Sequence, residues 1–244
     1  MRFKEFLKNE LSGWKKREVI WLTLACFIIT ALSIYWKDSV MGIISATTGV
    51  ACVICTGKGK LSAYIFGLIN CLLYAIIAFK ARLYGETMLN LIYYAPMQFI
   101  GFYLWSKNMN HDTKEVKKTH MKNMERIIWL LILIGLTIIY GYILKLLGDA
   151  MPFVDSFTTM ASVVAMVVSI KAYSEQWWIW IFVNVFSVYM WWEQFRIGND
   201  SMATLLMWSV YLVNSVIMCI KWEKEVRKNN DSKSKVLMEK KNEI

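Results

Sequence analysis

Eight apolar runs divide the chain, at residues 18–36, 39–57, 61–79, 87–105, 127–148, 154–170, 176–192 and 203–220, here lettered A to H. Each approaches the roughly 20 residues with which a helix crosses a ~30 Å hydrocarbon core. Inside a bilayer every backbone N–H and C=O needs a partner within the protein, which leaves helices or closed barrels. The runs are too long and too uniformly apolar for barrel strands. Composition agrees. Hydrophobic residues make up 57% of the chain and charged residues 19%, against about 25% charged in a soluble domain. A disordered chain and a disulfide-stapled secreted domain are excluded on the same grounds. The expected fold is an all-α polytopic membrane protein.

Charge places the ends. The net charge is +10, from 28 Lys and Arg against 18 Asp and Glu. Alternating across eight spans, the segments 1–17, 58–60, 106–126, 171–175 and 221–244 fall on one side and hold 23 of the 28 basic residues. Lys37, Lys80, Arg82, Lys145 and Arg196 are the remainder. Short cytoplasmic loops carry such an excess, so both termini are expected in the cytoplasm. Basic residues confined to short loops and tails make no surface for nucleic acid. Phe3, Phe6, Leu7, Leu11 and Trp14 lie near one helical face, which predicts a short interfacial helix before A. No small-residue cleavage site closes run A, so the N-terminus does not read as a removable signal. The tail from 223 is charged and lacks periodicity, and is expected to be disordered.

Segments B-C-D resemble F-G-H at an offset of about 114 residues. Asn70 pairs with Asn184, Phe66 with Trp180, Tyr64 with Trp178, and Glu86 with Asp200. A shift of three more pairs Tyr94 with Tyr211 and Trp105 with Trp222. With the single segment E between them, the two halves run in the same direction through the membrane. That is a parallel repeat about an axis along the membrane normal, an arrangement of transporters whose substrate site lies near the midplane between the halves. The expected divisions are 1–38 (interfacial helix and first span), 39–105 (first three-helix repeat), 106–149 (loop and linker helix), 150–222 (second repeat) and 223–244 (charged tail).

Polar side chains in lipid are costly and mark function or interhelical contact. In C, Phe66, Asn70 and Tyr74 recur at i, i+4, i+8; in D, Asn90, Tyr94 and Gln98 do the same; in G, Trp177, Trp180 and Asn184 stand at i, i+3, i+7. Each set shares a helix face. Trp177 also suits an interfacial aromatic belt, and each amide also suits a bond to a neighbouring helix. Taken together, three amides flanked by aromatic faces suit an uncharged polar group joined to a flat ring. Tryptophan faces favour a cationic ring. No Arg or Lys lies mid-span, so a phosphate would go uncompensated and a nucleoside is favoured over a nucleotide. No span centre carries Asp, Glu or His, because Glu86, Asp155, Glu193 and Asp200 stand at segment ends and His111 and His120 in the D–E loop. This disfavours proton coupling and a membrane hydrolase, and no cofactor or metal is expected. The mid-span Cys52 and Cys55 have no second ligand pair nearby. Thr56-Gly57-Lys58-Gly59-Lys60-Leu61 lacks the Ser or Thr of a phosphate-binding loop and reads as a tight basic turn.

These motifs resemble one family. Lys58-Gly59-Lys60, Phe66-Gly67-Leu68-Ile69-Asn70, Tyr84-Gly85-Glu86, Tyr93-Tyr94-Ala95-Pro96-Met97-Gln98 and Trp177-x-x-Trp180-x-x-x-Asn184 are similar to the bacterial nicotinamide riboside transporters, the Pnu vitamin carriers, over residues 40–222. The resemblance implies a seven-helix 3+1+3 core related to the SWEET sugar carriers, preceded here by A. It implies a homotrimer in the inner membrane, in contact with lipid, and uptake of nicotinamide riboside by facilitated diffusion for NAD biosynthesis. A cytosolic nicotinamide riboside kinase would trap the product. It places Gln98, Trp180, Asn184, Trp177, Asn70, Phe66 and Tyr94 at substrate-binding positions. Pro96, the sole proline within a span, removes a backbone bond in D and is the expected hinge. Thiamine and riboflavin carriers are the sibling reading, and a non-transporting seven-helix receptor the more distant one.

Overall fold

The computed structural model describes residues 3–80, 84–110, 112–146, 152–196 and 202–242. Arg82, His111 and Asp200 lie outside them, as do the expected boundary residues 147–151. Every apolar run is helical. After the short α1 (Phe3–Leu11), A to C become α2 (Lys16–Tyr35), α3 (Val40–Lys58) and α4 (Ser62–Lys80). Segment D is α5 (Tyr84–Met88), a π-helical stretch Leu89–Tyr94, and α6 (Ala95–Lys107). E to H are α7 (Asn123–Leu146), α8 (Pro152–Ile170), α9 (Gln176–Arg196) and α10 (Met202–Asn242). Beside the helices, two isolated β-bridges occur, Met109 with Val116 and Thr119 with Tyr173.

Five of these helices, α2, α3, α4, α7 and α10, are long and apolar enough to cross a membrane. The other three expected spans form helices that fall short for readable reasons. D changes helical type midway. The apolar part of α8 is Asp155–Ile170. In α9 amides and tryptophans replace aliphatic residues on the inner face.

Local chemistry sets the ends. Ser39 caps α3 by accepting from the Gly42 N–H at 3.1 Å. Gly59 ends it in the left-handed conformation, φ 82°, which a Cβ would strain. Pro96 has no N–H to give Ile92, and its ring would crowd that carbonyl in an α-helix. The chain widens just before it, with the Ala95 N–H bonding to Asn90 O, five residues back.

α3 packs on α4 and α10, α10 on α9, and α7 on α8. One core holds Val50, Ile54, Tyr74, Trp191 and Met207 between α3, α4, α9 and α10, with α2 covering it through Ala25 and Ile29. A second joins Tyr64, Trp105, Trp177 and Trp222. The linker α7 buries Gly141 and leaves Ile127, Leu130, Leu131 and Ile138 exposed, as a lipid-facing helix does.

The segments that charge alone assigned to one side do meet. Val116 N–H bonds to Gly59 O, Thr119 N–H to Ala172 O, and Ser174 N–H to Thr119 O. α1 joins them: Lys60 Nζ donates to Asn9 O at 2.9 Å, and the Glu10 carboxylate accepts from Ser62 N–H at 2.9 Å. On α10, Trp222 Nε1 donates to Gly57 O at 2.8 Å. The N-terminal helix and this part of α10 therefore share one end of the bundle. In the basic turn Lys58 and Lys60 are buried with their charges satisfied by protein. One expectation changes here. The tail is not without structure. Helix α10 continues through it to Asn242, since 202–242 contain neither Gly nor Pro to stop it.

Candidate functional site

A cavity of about 650 Å³ runs among α3, α4, segment D, α8, α9 and α10. Its walls are faces of helices. α3 gives Cys52, Val53 and Thr56; α4 gives Ala63, Gly67, Asn70, Cys71 and Tyr74; α9 gives Trp177, Trp180, Asn184 and Ser187. These recur at three- and four-residue steps, as one face of a helix must. In D, Asn90, Tyr94 and Gln98 all reach the cavity. Positions four apart drift around a 3.6-residue turn, and the wider π turn takes up that drift.

Six of the seven expected binding residues line this one cavity: Asn70, Tyr94, Gln98, Trp177, Trp180 and Asn184. Phe66 is not brought there. It is half-buried, and its neighbours Ala63, Tyr64 and Gly67 form that wall instead. Pro96 is exposed on the outer surface of the helix, with the π turn directly before it.

The amides are held in different ways. Asn70 Nδ2 donates to Ser45 O at 2.8 Å, so half of its amide is spent on α3. Asn184 Nδ2 donates to Ser215 Oγ at 3.2 Å. Among the described residues buried Gln98 has only a weak contact, Nε2 to Cys71 Sγ at 3.8 Å. Gly67 makes room for it, since a Cβ there would stand 2.5 Å from Gln98 Oε1. At Gly49 the same absence of a side chain lets Asn70 and Tyr211 approach α3. Trp177 is core rather than belt: it is buried and meets Trp222 edge-on at 5.6 Å. Trp180 is half-buried, with part of its surface left to the cavity.

Sequence reasoning missed part of the lining. Tyr64 Oη, Trp208 Nε1 and Asn214 Oδ1, like the Nε1 of the expected Trp177, are buried in the cavity wall with no hydrogen-bond partner among the described residues. Buried polar groups left so are rare and point to a polar occupant. Spacing could have found Trp208, Tyr211 and Ser215, which stand three and four residues apart on α10. Tyr74 is fixed by Trp191, whose Nε1 donates to its hydroxyl at 3.0 Å, and stands edge-on to Trp208 at 6.2 Å.

Charge in the lining has one sign. Glu86, Asp155 and Glu193 contribute, and among the described residues no Lys, Arg or His does. All three sit where α5 and α8 begin and α9 ends, so they share the end opposite the buried lysines. Glu193 pairs with the exposed Arg196 at 3.2 Å. For the Glu86 carboxylate no ion pair is seen among the described residues. Glu86, Asp155 and Glu193 stand at segment ends as expected, and those ends line the cavity.

Ion pairs gather at the other end of the bundle. Lys58 bridges Glu18 and Glu115, both at 2.9 Å. Lys118 pairs with Glu115 and Glu225, Lys221 with Glu18 at 2.7 Å, and Arg126 with Glu175 at 2.7 Å. These pairs tie together α2, α3, the 108–122 loop and α10, and α7 to the turn before α9. Burial would raise the Glu115 carboxyl, but Lys118 and Lys58 outweigh it and hold it below the ordinary carboxylate range.

A family model described as nicotinamide mononucleotide transporter matches residues 39–224. The nicotinamide riboside transporter PnuC of Neisseria mucosa is 39% identical over 215 residues, covering 85% of this chain and 81% of that protein. That of Haemophilus influenzae is 35% identical over 218 residues, covering 85% and 90%. A crystal structure of the vitamin B3 transporter PnuC is similar with a TM-score of 0.83 and 38% identity, over 92% of this chain and 98% of that one.

Proposed function

We infer that the chain, which belongs to the nicotinamide mononucleotide transporter family, takes up nicotinamide riboside across a bacterial membrane. The observation that carries the choice of substrate is the cavity lining: aromatic faces, part-satisfied amides and carboxylates, with no basic side chain among the described residues. Nicotinamide riboside is a flat pyridinium cation joined to an uncharged sugar. Its phosphorylated form would bring an anion to acidic walls with no partner for it.

In this reading Trp180 stacks on the cationic ring, and Gln98 and Asn184 hydrogen-bond the carboxamide or ribose. Tyr94 and Asn70 complete the wall, Trp177 supports Trp180 from the core, and Glu86 supplies counter-charge. Transport is alternating access: α3, α4 and D rock against α8, α9 and α10 as a parallel repeat about the linker α7, with the turn before Pro96 as hinge. The ion-pair network closes the cytoplasmic side, where both termini lie, and must part for release. Without a coupling ion the flux is facilitated diffusion, and the membrane potential favours entry of a cation by about 2.3 kcal/mol per charge per 100 mV. A homotrimer in the inner membrane, with a cytosolic kinase trapping the product, completes the proposal.

The test is uptake of labelled nicotinamide riboside into liposomes holding the purified protein, with no ion gradient. Saturable uptake blocked by unlabelled nicotinamide riboside, and not by its mononucleotide, thiamine or riboflavin, is expected. Uptake that requires a proton or sodium gradient refutes facilitated diffusion. Block by thiamine or riboflavin alone moves the chain to a sibling substrate.

A further inference from the structure

A second cavity, of about 260 Å³, lies between α2, α3 and α10 at the end that carries the buried lysines. Trp14, Arg17, Glu18, Trp21, Ile54, Lys58, Ile217, Met218 and Lys221 line it. It is separate from the substrate cavity, with which it shares no lining residue. Three cations face one anion there. Glu18 is shared by Lys58 at 2.9 Å and Lys221 at 2.7 Å, and Lys58 is further met by Glu115 from outside the lining. Arg17 is exposed, with no ion pair among the described residues. Trp21 carries an indole N–H that is buried and lacks an acceptor. The pocket thus holds hydrogen-bond donors and positive charge in excess of what the protein satisfies.

Its surroundings select the source of the missing acceptor. One turn deeper into the expected membrane, Leu24 on α2 and Val213 and Ile217 on α10 are exposed and apolar. Trp14 and Trp21 are part of its lining, and tryptophans are enriched at the headgroup level. Basic pockets between membrane helices at the cytoplasmic face suit anionic lipid headgroups. We propose that this pocket binds the phosphodiester of an anionic membrane lipid, with Arg17, Lys221 and the Trp21 N–H as donors and the acyl chains lying along the seam of α2 and α10. Occupancy would fasten α2, which lies outside the expected seven-helix core, to α3 and α10. The leaflet, though not the site, rests on the cytoplasmic assignment made above.

The experiment is native mass spectrometry of the full-length protein released from detergent, titrated with phosphatidylglycerol or with phosphatidylcholine of the same acyl chains. Retention of phosphatidylglycerol at least fivefold tighter than phosphatidylcholine is expected. Arg17→Ala should weaken it five- to tenfold. Trp21→Phe, which keeps the ring and removes the N–H, should weaken it two- to fivefold with unchanged melting. Lys107→Gln, remote on the same side, should change nothing. Equal retention of the two lipids, or wild-type retention by both pocket variants, overturns the proposal. Displacement of phosphatidylglycerol by inorganic phosphate at low millimolar concentration assigns the pocket to a free anion and overturns the lipid assignment.

Discussion

Gly67→Ala tests the substrate site through a wall residue that has no side chain to offer a substrate. The added Cβ would lie 2.5 Å from Gln98 Oε1, 2.9 Å from its Cδ and 3.1 Å from Cys52 Sγ. Carbon contacts relax near 3.5–4.0 Å, so the amide must retreat by about 1 Å. That takes an ordinary ~2.9 Å hydrogen bond from Gln98 to substrate past its useful range. A buried donor or acceptor left unmatched costs about 1–3 kcal/mol, which is about 5- to 150-fold in Kd. The fold should not suffer, because the clash falls on the far end of a flexible side chain, and alanine gains about 0.5–1 kcal/mol over glycine within a helix. Calorimetric binding of nicotinamide riboside and thermal melting are measured on Gly67→Ala, Gln98→Ala and the double variant. Each single variant should lose affinity to a similar degree with melting near that of the wild type. The double should be no weaker than Gln98→Ala by more than about 0.5 kcal/mol, since both act through one amide. Wild-type affinity in Gly67→Ala, or fully additive losses, would refute the placement of Gln98 in the binding step.

Four further outcomes follow from the same geometry. Trp180→Ala should abolish saturable uptake in liposomes while Trp180→Phe keeps part of it, with membrane expression unchanged; equal uptake by all three proteins would remove the stacking role. Glu86→Gln should weaken binding of the cationic substrate by about 1–2 kcal/mol, the attraction of unit charges roughly 8–15 Å apart at an effective dielectric near 20, and leave an uncharged nicotinamide analogue unaffected in the same titration. Tyr74→Phe orphans the buried Trp191 N–H and should cost about 1–3 kcal/mol in denaturant unfolding. Glu115 has its carboxyl lowered in the fold, so its stabilisation is whole above the ordinary value of 4.5 and is lost as pH falls through the lowered one. Hydrogen exchange at Val116 and Thr119 should therefore quicken only in acid below that range; quickening near neutrality would contradict the pairing.

The cavity-lining amides were legible for a physical reason. Asn70, Gln98 and Asn184 are amides where lipid tolerates few, and their aromatic neighbours recur on the same helix faces. Phe66 misled because an i+4 partner of Asn70 shares its general face but not its line of sight. The drift of about 40° over four residues is enough to hand that wall to Gly67 and Ala63. Glu86 was set aside because its position in the sequence is a segment end, and sequence alone gives no depth or tilt to that end. That Tyr64, Trp208 and Asn214 keep unpartnered polar atoms carries no sequence mark, even where spacing marks the residue. Being without an acceptor or donor is a property of what surrounds a group.

What the sequence determined by itself is the class, and which segments gather at one end of the bundle. Apolar runs of bilayer length admit one kind of structure, because the bilayer offers the backbone no partners, and the basic residues between them had to share a face. What only the tertiary structure decided is which polar atoms remain unspent after the helices pack. It spends Asn70 on α3, leaves Gln98 nearly free beneath a glycine, draws three carboxylates onto one cavity mouth, and buries Lys58 and Lys60 among acids that lie far away in the chain. These are contacts between helices distant in sequence, and they depend on helix tilt, phase and separation, which no run of residues encodes on its own.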